Sequence, residues 1–332
     1  MMSRRQMLMM LTEDRGLPAE YLQVEYLEST GTQYLSLFPN GYDNSVVDYL
    51  AVYLDLSITG KDTGSETGVF GGKPDGSTPA PDLFLPSTSS TQISMWCNSG
   101  TTWTSSFEVT FGQRCTIDAY WYMNSTRKLV FNDQEATASN KNNSVINSNP
   151  LSRRLCLFKD GTRATSAGNT FFAKMKVYSA KVDIDGTIQR DLVPCIRISD
   201  SKPGMYDLVG RQFYTNAGTG EFLTDYTIIL PDNPTETGAG FFTTASFPLL
   251  NQQKITLKYF GVGNRTSNVF FDGYTARTSP NQLVYTKNLT ANDGEYNLTA
   301  TRDGTLYIGI SRNGTVGSTS AFYIKSILLK IE

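Results

Sequence analysis

Short runs of alternating apolar and polar residues dominate the chain from residue 20 onward. This period of two places successive side chains on opposite faces of a strand with one buried face. The runs predict strands at Leu22–Leu27, Tyr34–Phe38, Val46–Ile58, Phe107–Phe111, Cys115–Tyr122, Leu129–Phe131, Leu155–Phe158, Ala173–Val182, Ile188–Ile198 and Gln212–Tyr214. Many short strands without helical periodicity predict an all-β sandwich or barrel.

Turn-forming residues separate these runs. Gly, Pro, Asn, Asp and Ser cluster at Thr59–Glu66, Gly72–Pro81 and Asn140–Pro150. Asp185-Gly186 stands between two long alternating runs, and this dipeptide is typical of the two-residue turn of a β-hairpin. We therefore expect the strands on either side of it to pair.

A second set of strands follows a segment with two Pro and two Gly, Leu230–Gly240. The strands are predicted at Lys254–Phe260, Val269–Tyr274, Gln282–Thr286, Gly294–Ala300, Thr305–Ser311 and Ala321–Ile331. The last runs are interrupted at Asp303-Gly304 and Asn313-Gly314, which predicts a meander. We therefore predict two domains, residues 17–225 and 241–332, joined by a linker over residues 226–240.

The first sixteen residues differ from the rest of the chain. Their basic and apolar side chains are Arg4, Arg5, Met7, Leu8, Met10 and Leu11. The apolar stretch is about five residues and ends in Glu13-Asp14, so it is too short and too acidic for the apolar region of a signal peptide. Residues 1–16 are either an N-terminal arm that docks on a partner through adaptable Met side chains or a frayed tail.

Charge and hydropathy narrow the class of protein further. Charged residues make up 18% of the chain, against about 25% in typical domains. This composition suits exposed surfaces such as those of virions, although Lys and Glu are depleted in any all-β protein. The net charge of −2 argues against a nucleic-acid partner, and no apolar run reaches the length of a membrane span.

The four cysteines, Cys97, Cys115, Cys156 and Cys195, form no closely spaced pair. Structural zinc sites need such pairs, so a zinc site is not predicted. Most of the cysteines lie in alternating apolar runs, which favours buried free thiols. Disulfides remain an alternative without a sequence signal.

Two long motifs resemble a known family. The opening motif is LPAEYLQVEYLESTGTQYLSLF, residues 17–38, and the closing motif is AKMKVYSAKVDIDGTIQRDLVPCIRISDSKPGMYDLVGRQFYTNAGTGEF, residues 173–222. They are similar to the laminin-G-like, concanavalin-A-like jelly roll of structural proteins from tailed phages of gut bacteria. The resemblance implies one jelly roll whose terminal strands pair, followed here by a smaller β-sandwich.

The resemblance also implies a role. It indicates a virion structural protein, namely a head fibre, a capsid decoration or a tail-associated protein, exposed on the particle surface. Residues 1–16 would then anchor it to capsid, portal or tail proteins. Repeated attachment sites on a particle favour a homo-oligomer, and fibres are often trimers. The alternative is an adhesin that binds a host surface polysaccharide.

Catalysis is not expected. The chain has no histidine, which excludes Ser-His-Asp and Cys-His catalysis. Glycosidases of concanavalin-A-like fold need carboxylates at same-face spacing on one strand. Glu25 and Glu28 are three residues apart, and Glu108 and Asp118 each stand alone. The laminarinase-like alternative therefore lacks its acid pair.

Ligand sites can be named only as candidates. Asn132, Asp133 and Glu135 form one oxygen-rich turn that suits either a structural Ca²⁺ or an ordinary hairpin, so no cofactor is assigned. Glycan or partner contacts are predicted at Trp96, Trp103 and Tyr274, since such contacts need exposed aromatic rings. The alternative for each ring is packing in the sandwich, and Trp121 is expected in the core.

Overall fold

A computed structural model describes most of the chain beyond its first residues. The described residues are 16–38, 49–61, 66–72, 81–86, 90–96, 102–122, 126–139, 155–159, 171–229, 235–236, 240–260, 268–274, 283–288, 293–300, 303–313, 322–323 and 326–332. The predicted arm, residues 1–16, lies outside them except for Gly16. Across these ranges no helix has the length and apolarity needed to cross a membrane.

The first compact unit contains residues up to Ile196 and Pro203–Thr224. Its strands are β1 (Tyr21–Gln23), β2 (Leu27–Thr30), β3 (Leu35–Ser36), β4 (Tyr49–Gly60), β5 (Thr67–Gly71), β6 (Asp82–Leu85), β7 (Gln92–Trp96), β8 (Thr102–Glu108), β9 (Cys115–Tyr122), β10 (Thr126–Phe131), β11 (Gln134–Ser139), β12 (Cys156–Leu157), β13 (Lys174–Ile184), β14 (Thr187–Arg197), β15 (Lys202–Asp207), β16 (Gln212–Tyr214) and β17 (Leu223–Thr224).

These strands form two antiparallel sheets. The larger has eleven strands, with the path β11-β10-β9-β4-β13-β14-β15-β16 and with β1, β2 and β17 paired to its side. The smaller has six, in the order β3-β12-β5-β6-β7-β8. Alternate side chains of both sheets enter one core, in which Leu54 and Trp121 of the larger sheet and Phe70 of the smaller are fully buried. Burial of this apolar surface is the main force that holds the two sheets together.

The Asp185-Gly186 hairpin has the predicted conformation. Asp185 has φ 52° and Gly186 has φ 82°, the two positive values that a type I′ turn requires. The flanking strands β13 and β14 pair antiparallel from Ile184 and Thr187 back to Ala180 and Leu192. The second hairpin of the closing motif is also present, with β15 paired to β16.

The opening and closing motifs meet in the larger sheet. Strand β2 of the opening motif pairs with β13 and also with β17. Beside this seam the Asn216 carboxamide accepts from the backbone amides of Tyr34 at 3.1 Å and Gly218 at 2.8 Å, and it donates to the Gly220 carbonyl at 2.8 Å. A Cβ on Gly218 would lie 2.1 Å from the Thr32 carbonyl oxygen. The two motifs therefore form one seam, which strand pairing and the Asn216 side chain hold together.

The second compact unit is Arg197–Lys202 with Asp225–Glu332. Its strands are β18 (Thr227–Ile229), β19 (Thr235–Glu236), β20 (Gly240–Leu249), β21 (Lys254–Phe260), β22 (Asn268–Tyr274), β23 (Leu283–Asn288), β24 (Gly294–Thr299), β25 (Gly304–Asn313), β26 (Phe322–Tyr323) and β27 (Ser326–Ile331). They form two four-stranded sheets, β18-β27-β21-β24 and β20-β25-β22-β23, and the pair β19-β26.

Two sequence predictions differ from this arrangement. The meander is wrong, because β24 pairs with β21 whereas β25 pairs with β20 and β22, so Asp303-Gly304 takes the chain from one sheet to the other. The predicted linker, residues 226–240, contains β18, which pairs with β27. The Pro and Gly residues that indicated a linker follow this short strand. The fold class, an all-β chain with a larger jelly-roll sandwich and a smaller second sandwich, is confirmed.

Candidate functional site

Trp96 and Trp103, two of the aromatic residues predicted as ligand contacts, are both at least partly buried. Trp96 is 8% exposed and packs on Phe84, and Trp103 lies half-buried against the main core. Trp96 therefore packs against Phe84 outside the main core cluster, Trp103 packs against that core, and ligand contact by either ring stays a prediction. Tyr274 ends β22, opposite Leu283 and Tyr307. Trp121 is in the core as predicted, and its indole Nε1–H donates to the Trp96 carbonyl at 3.2 Å.

The oxygen-rich turn is a hairpin. Asn132 and Asp133, with φ of 46° and 67°, connect β10 to β11. The Asn132 side-chain oxygen accepts from the Thr116 backbone amide at 2.9 Å, so it serves the turn. No group of three or more His, Cys, Asp or Glu side chains within metal-binding reach occurs among the described residues. The proposed Ca²⁺ remains without assigned ligands.

The strongest cluster of functional groups lies on the outer face of the larger sheet, around Ala51. Leu50 and Val52 point into the core, so Ala51 between them faces away from it. Ala51 is directly opposite Tyr120 on β9 and opposite Asp183 on β13. It is nevertheless fully buried, because larger side chains on the three strands cover it.

Four tyrosines surround this alanine. Tyr49 and Tyr53 lie two residues before and after it on β4, and Tyr120 and Tyr122 lie on β9. The ring centroids are 5.6 Å apart for Tyr49 and Tyr122, and 5.7 Å apart for Tyr53 and Tyr120. The rings of Tyr120 and Tyr122 are almost parallel, at 4° and 6.1 Å. We call these four residues, with Ala51 and Asp183, the tyrosine face.

Asp183 joins two of these rings. The hydroxyls of Tyr49 and Tyr53 each donate to its Oδ2 at 3.3 Å. The residue is 6% exposed, and among the described residues its Oδ1 has no hydrogen-bond partner. A buried carboxylate oxygen without a hydrogen-bond donor lowers the stability of the fold. Asp183 Oδ1 is therefore an acceptor that a bound donor could satisfy.

The hydroxyls of Tyr49, Tyr53 and Tyr120 remain protonated at neutral pH. Burial raises the pKa of Tyr53 above its ordinary value, and the neighbouring Tyr120 and Asp183 raise it further. Burial likewise raises the pKa of Tyr49 and of Tyr120. At neutral pH all three therefore present O–H groups, which both donate and accept hydrogen bonds.

Charged groups border the tyrosine face. The Lys128 ammonium lies 4.5 Å from the Tyr120 ring centroid and 3.5 Å from Glu135. Lys181, opposite Tyr53 in the register, is paired with Asp191 at 2.7 Å. Both lysines are thus neutralised by carboxylates, and the surroundings of the rings are close to neutral or negative.

The sequence shows that the tyrosines share a face of their strands, but it does not show which strands lie side by side. Tyrosines two apart in DAYWY and four apart in DYLAVY share a face of their strands. The pairing of β4 with β9 and β13, which brings Asp183 beside them, depends on strand register. Same-face tyrosines on two predicted strands were therefore available as a clue, whereas the buried carboxylate was not.

Comparison with known proteins gives only remote similarity. No family model matches the chain, and no curated protein matches it. Among solved structures, mouse laminin alpha1 domains LG4-5 are 13% identical, with 91% of this chain and 81% of that chain covered and a TM-score of 0.35. The LG1-3 region of laminin alpha2 is 11% identical, with 93% and 62% covered and a TM-score of 0.36.

A phage protein is also among the similar structures. Tailspike protein 2 from Escherichia coli O157:H7 bacteriophage CAB120 is 12% identical, with 51% of this chain and 26% of that chain covered and a TM-score of 0.29. Identities and TM-scores this low carry no argument about function. The class of this protein is therefore defined by its own two-sheet β-sandwiches. That class, all-β sandwiches with an outer face of clustered tyrosines, is compatible with a binding or a structural role.

Proposed function

We propose that the chain is a non-enzymatic structural protein of a tailed-phage particle, displayed on the particle surface and attached through residues 1–16. The observation that supports it is the seam between the opening and closing motifs, at which β2 pairs with β13 and β17. These motifs carry the resemblance to phage structural proteins, and their pairing makes them the two ends of one jelly roll. The proposed partners are capsid, portal or tail proteins and further copies of the chain, with a trimer favoured.

The absence of catalysis is part of this proposal. The sequence contains no histidine. Glu108 and Asp118, the strand carboxylates considered as acids, lie on β8 of the smaller sheet and β9 of the larger sheet. A glycosidase needs two carboxyl groups facing one bond. These two residues on different sheets do not suit that chemistry.

Particle assembly in the presence of a truncated protein tests the proposal. The full chain and a variant lacking residues 1–16 are supplied to particles made without the native protein, and purified particles are probed for each. We expect the truncated protein to fold, with an unchanged far-UV spectrum and melting transition, and to be missing from the particles. Its incorporation at the level of the full chain would remove the anchoring role of residues 1–16, and absence of the full chain from particles would overturn the proposal itself.

The second candidate is a polysaccharide-binding adhesin. The tyrosine face favours it, since aromatic rings with adjacent hydrogen-bonding groups on one surface are typical of ligand sites. The two candidates are compatible, because a particle protein can also bind the host. Binding of the isolated full chain to surface polysaccharide, measured without particles, tests the second independently of the first.

A further inference from the structure

We infer that the tyrosine face binds a neutral, hydroxyl-rich polysaccharide. The inference deepens the second candidate function and rests on it. It places the ligand on the outer side of β4, β9 and β13, around Ala51. It also names the chemical class of the ligand.

The rings supply the first part of that chemistry. Tyr120 and Tyr122 are half-buried and almost parallel. Tyr120 is held by an edge contact with Tyr53, and Tyr122 by a tilted contact with Tyr49. Rings fixed by neighbours lose little conformational entropy when a ligand packs against them. The C–H faces of sugar rings are apolar, so they pack on such aromatic surfaces. The tyrosine hydroxyl oxygens can in addition accept hydrogen bonds from sugar hydroxyls.

Asp183 supplies the second part. Its Oδ2 already accepts from Tyr49 and Tyr53, and its Oδ1 has no hydrogen-bond partner among the described residues. A sugar hydroxyl is a donor that satisfies this oxygen. Since Asp183 is 6% exposed, a hydroxyl reaches Oδ1 only after a neighbouring side chain moves. Binding should therefore change the environment of the surrounding tyrosines.

The charges around the tyrosine face favour a neutral ligand over an acidic one. Lys128 and Lys181, the cations beside the tyrosine face, are paired with Glu135 and Asp191. Asp183 then adds a further carboxylate. Among the described residues beside the tyrosine face, an acidic polysaccharide would meet like charge without an unpaired cation, which costs binding energy. Tyrosine is also enriched at protein interfaces, so the oligomeric state of a tyrosine variant is measured to test a second copy of the chain as the occupant.

Affinity electrophoresis of the full chain tests the inference. Native gels contain a neutral glucan, a neutral mannan or acidic alginate, and a glycan array extends the set. We expect retardation by a neutral polysaccharide and none by alginate. Tyr120→Ala and Tyr122→Ala should each weaken binding roughly three- to tenfold. Tyr178→Ala is the matched control, because Tyr178 is half-buried and packs against Arg114 and Tyr26 instead of the tyrosine face.

A second readout follows the moving side chains. Near-UV circular dichroism should change on addition of the bound polysaccharide in the native protein and in Tyr178→Ala, and the change should be lost in Asp183→Ala. Absence of binding to every polysaccharide, binding to alginate alone, or equal binding by Tyr120→Ala and the native protein would each overturn the inference. So would a change of oligomeric state in Tyr122→Ala, which would make this face an interface between copies. Particle incorporation is measured separately, so failure here leaves the structural proposal standing.

Discussion

The Asn216 side chain accepts a hydrogen bond from the backbone amide of Tyr34, which precedes it by 182 residues. The same oxygen accepts from Gly218, and the carboxamide nitrogen donates to Gly220. One side chain thus orders its own loop and fixes that loop to the opening motif. The bond is an example of a side-chain group replacing a backbone partner where no strand pairing is present.

Replacing Asn216 tests the strength of this connection. Asn216→Ala leaves two part-buried amides without their acceptor, so we expect the free energy of unfolding to fall by about 1–3 kcal/mol. Asn216→Asp is the matched variant, because it keeps the accepting oxygen, loses the donor to Gly220 and places a carboxylate oxygen near that carbonyl. Urea denaturation should rank the aspartate variant between the native protein and the alanine variant, and equal stability of all three would contradict this account.

The ion pair between Arg114 and Asp55 predicts that removing one partner lowers the free energy of unfolding more than removing the other. Arg114 Nε and Nη2 contact Asp55 Oδ1 and Oδ2 at 2.8 and 2.9 Å, and the side chains are 53% and 7% exposed. Arg114→Ala leaves a buried carboxylate without its partner and should cost about 1–3 kcal/mol. Asp55→Ala returns an exposed guanidinium to water and should cost less. Urea titrations at low and high salt measure both, and a larger loss for Asp55→Ala would refute the asymmetry.

The tyrosine face predicts a loss of stability at alkaline pH. Burial raises the pKa of Tyr49, Tyr53 and Tyr120 in the folded protein. A raised folded-state pKa contributes stability that is complete below the unfolded value, about 10, and that is lost as the pH rises above it. Absorbance at 295 nm should show these tyrosines ionising above pH 10 in the native protein and near pH 10 in urea. Tyr53→Phe should reduce the alkaline loss, and identical titrations in both states would disprove the burial effect.

Cys195 should be chemically inert in the folded protein. Burial raises the pKa of its thiol to about 12, although a hydrogen bond from the Tyr206 backbone lowers it in part. Alkylation requires the thiolate, and at pH 8 the thiol is protonated and enclosed. Peptide mapping after iodoacetamide treatment should find Cys195 unmodified in the native protein and modified after denaturation. Rapid native alkylation would mean that this part of β14 opens readily.

Strands with one buried face are those that periodicity locates most directly. In β9, residues from Cys115 to Tyr122 alternate between buried and half-buried, so periodicity alone located the strand. Strands β5 and β6 were missed because all of their residues are buried. A strand covered on both faces has no alternation to detect.

The site was harder to predict than the fold because it depends on neighbours across strands. Trp96 and Trp103 were predicted as contacts because glycan binding needs exposed aromatic rings, and the packing of Phe84 and of the core against them was not visible in the chain order. Asp183 lies in the alternating run before Asp185-Gly186, and nothing in the chain order sets it apart. Its pairing opposite Ala51 makes it the centre of a cluster, and that register comes from long-range strand pairing.

The pairing of β13 with both β2 and β4 has a consequence for how the protein is made. Strand β4 runs down the middle of the larger sheet, yet one of its two neighbours is β13, which the ribosome produces more than a hundred residues later. Contacts so distant in sequence slow folding, since a long loop must close before they form. Until β13, Lys174–Ile184, has been synthesised, β4 is a largely apolar strand with one open edge. The nascent first unit is therefore exposed to aggregation for most of its synthesis, and folding of this unit is expected to be completed only as its last strands emerge.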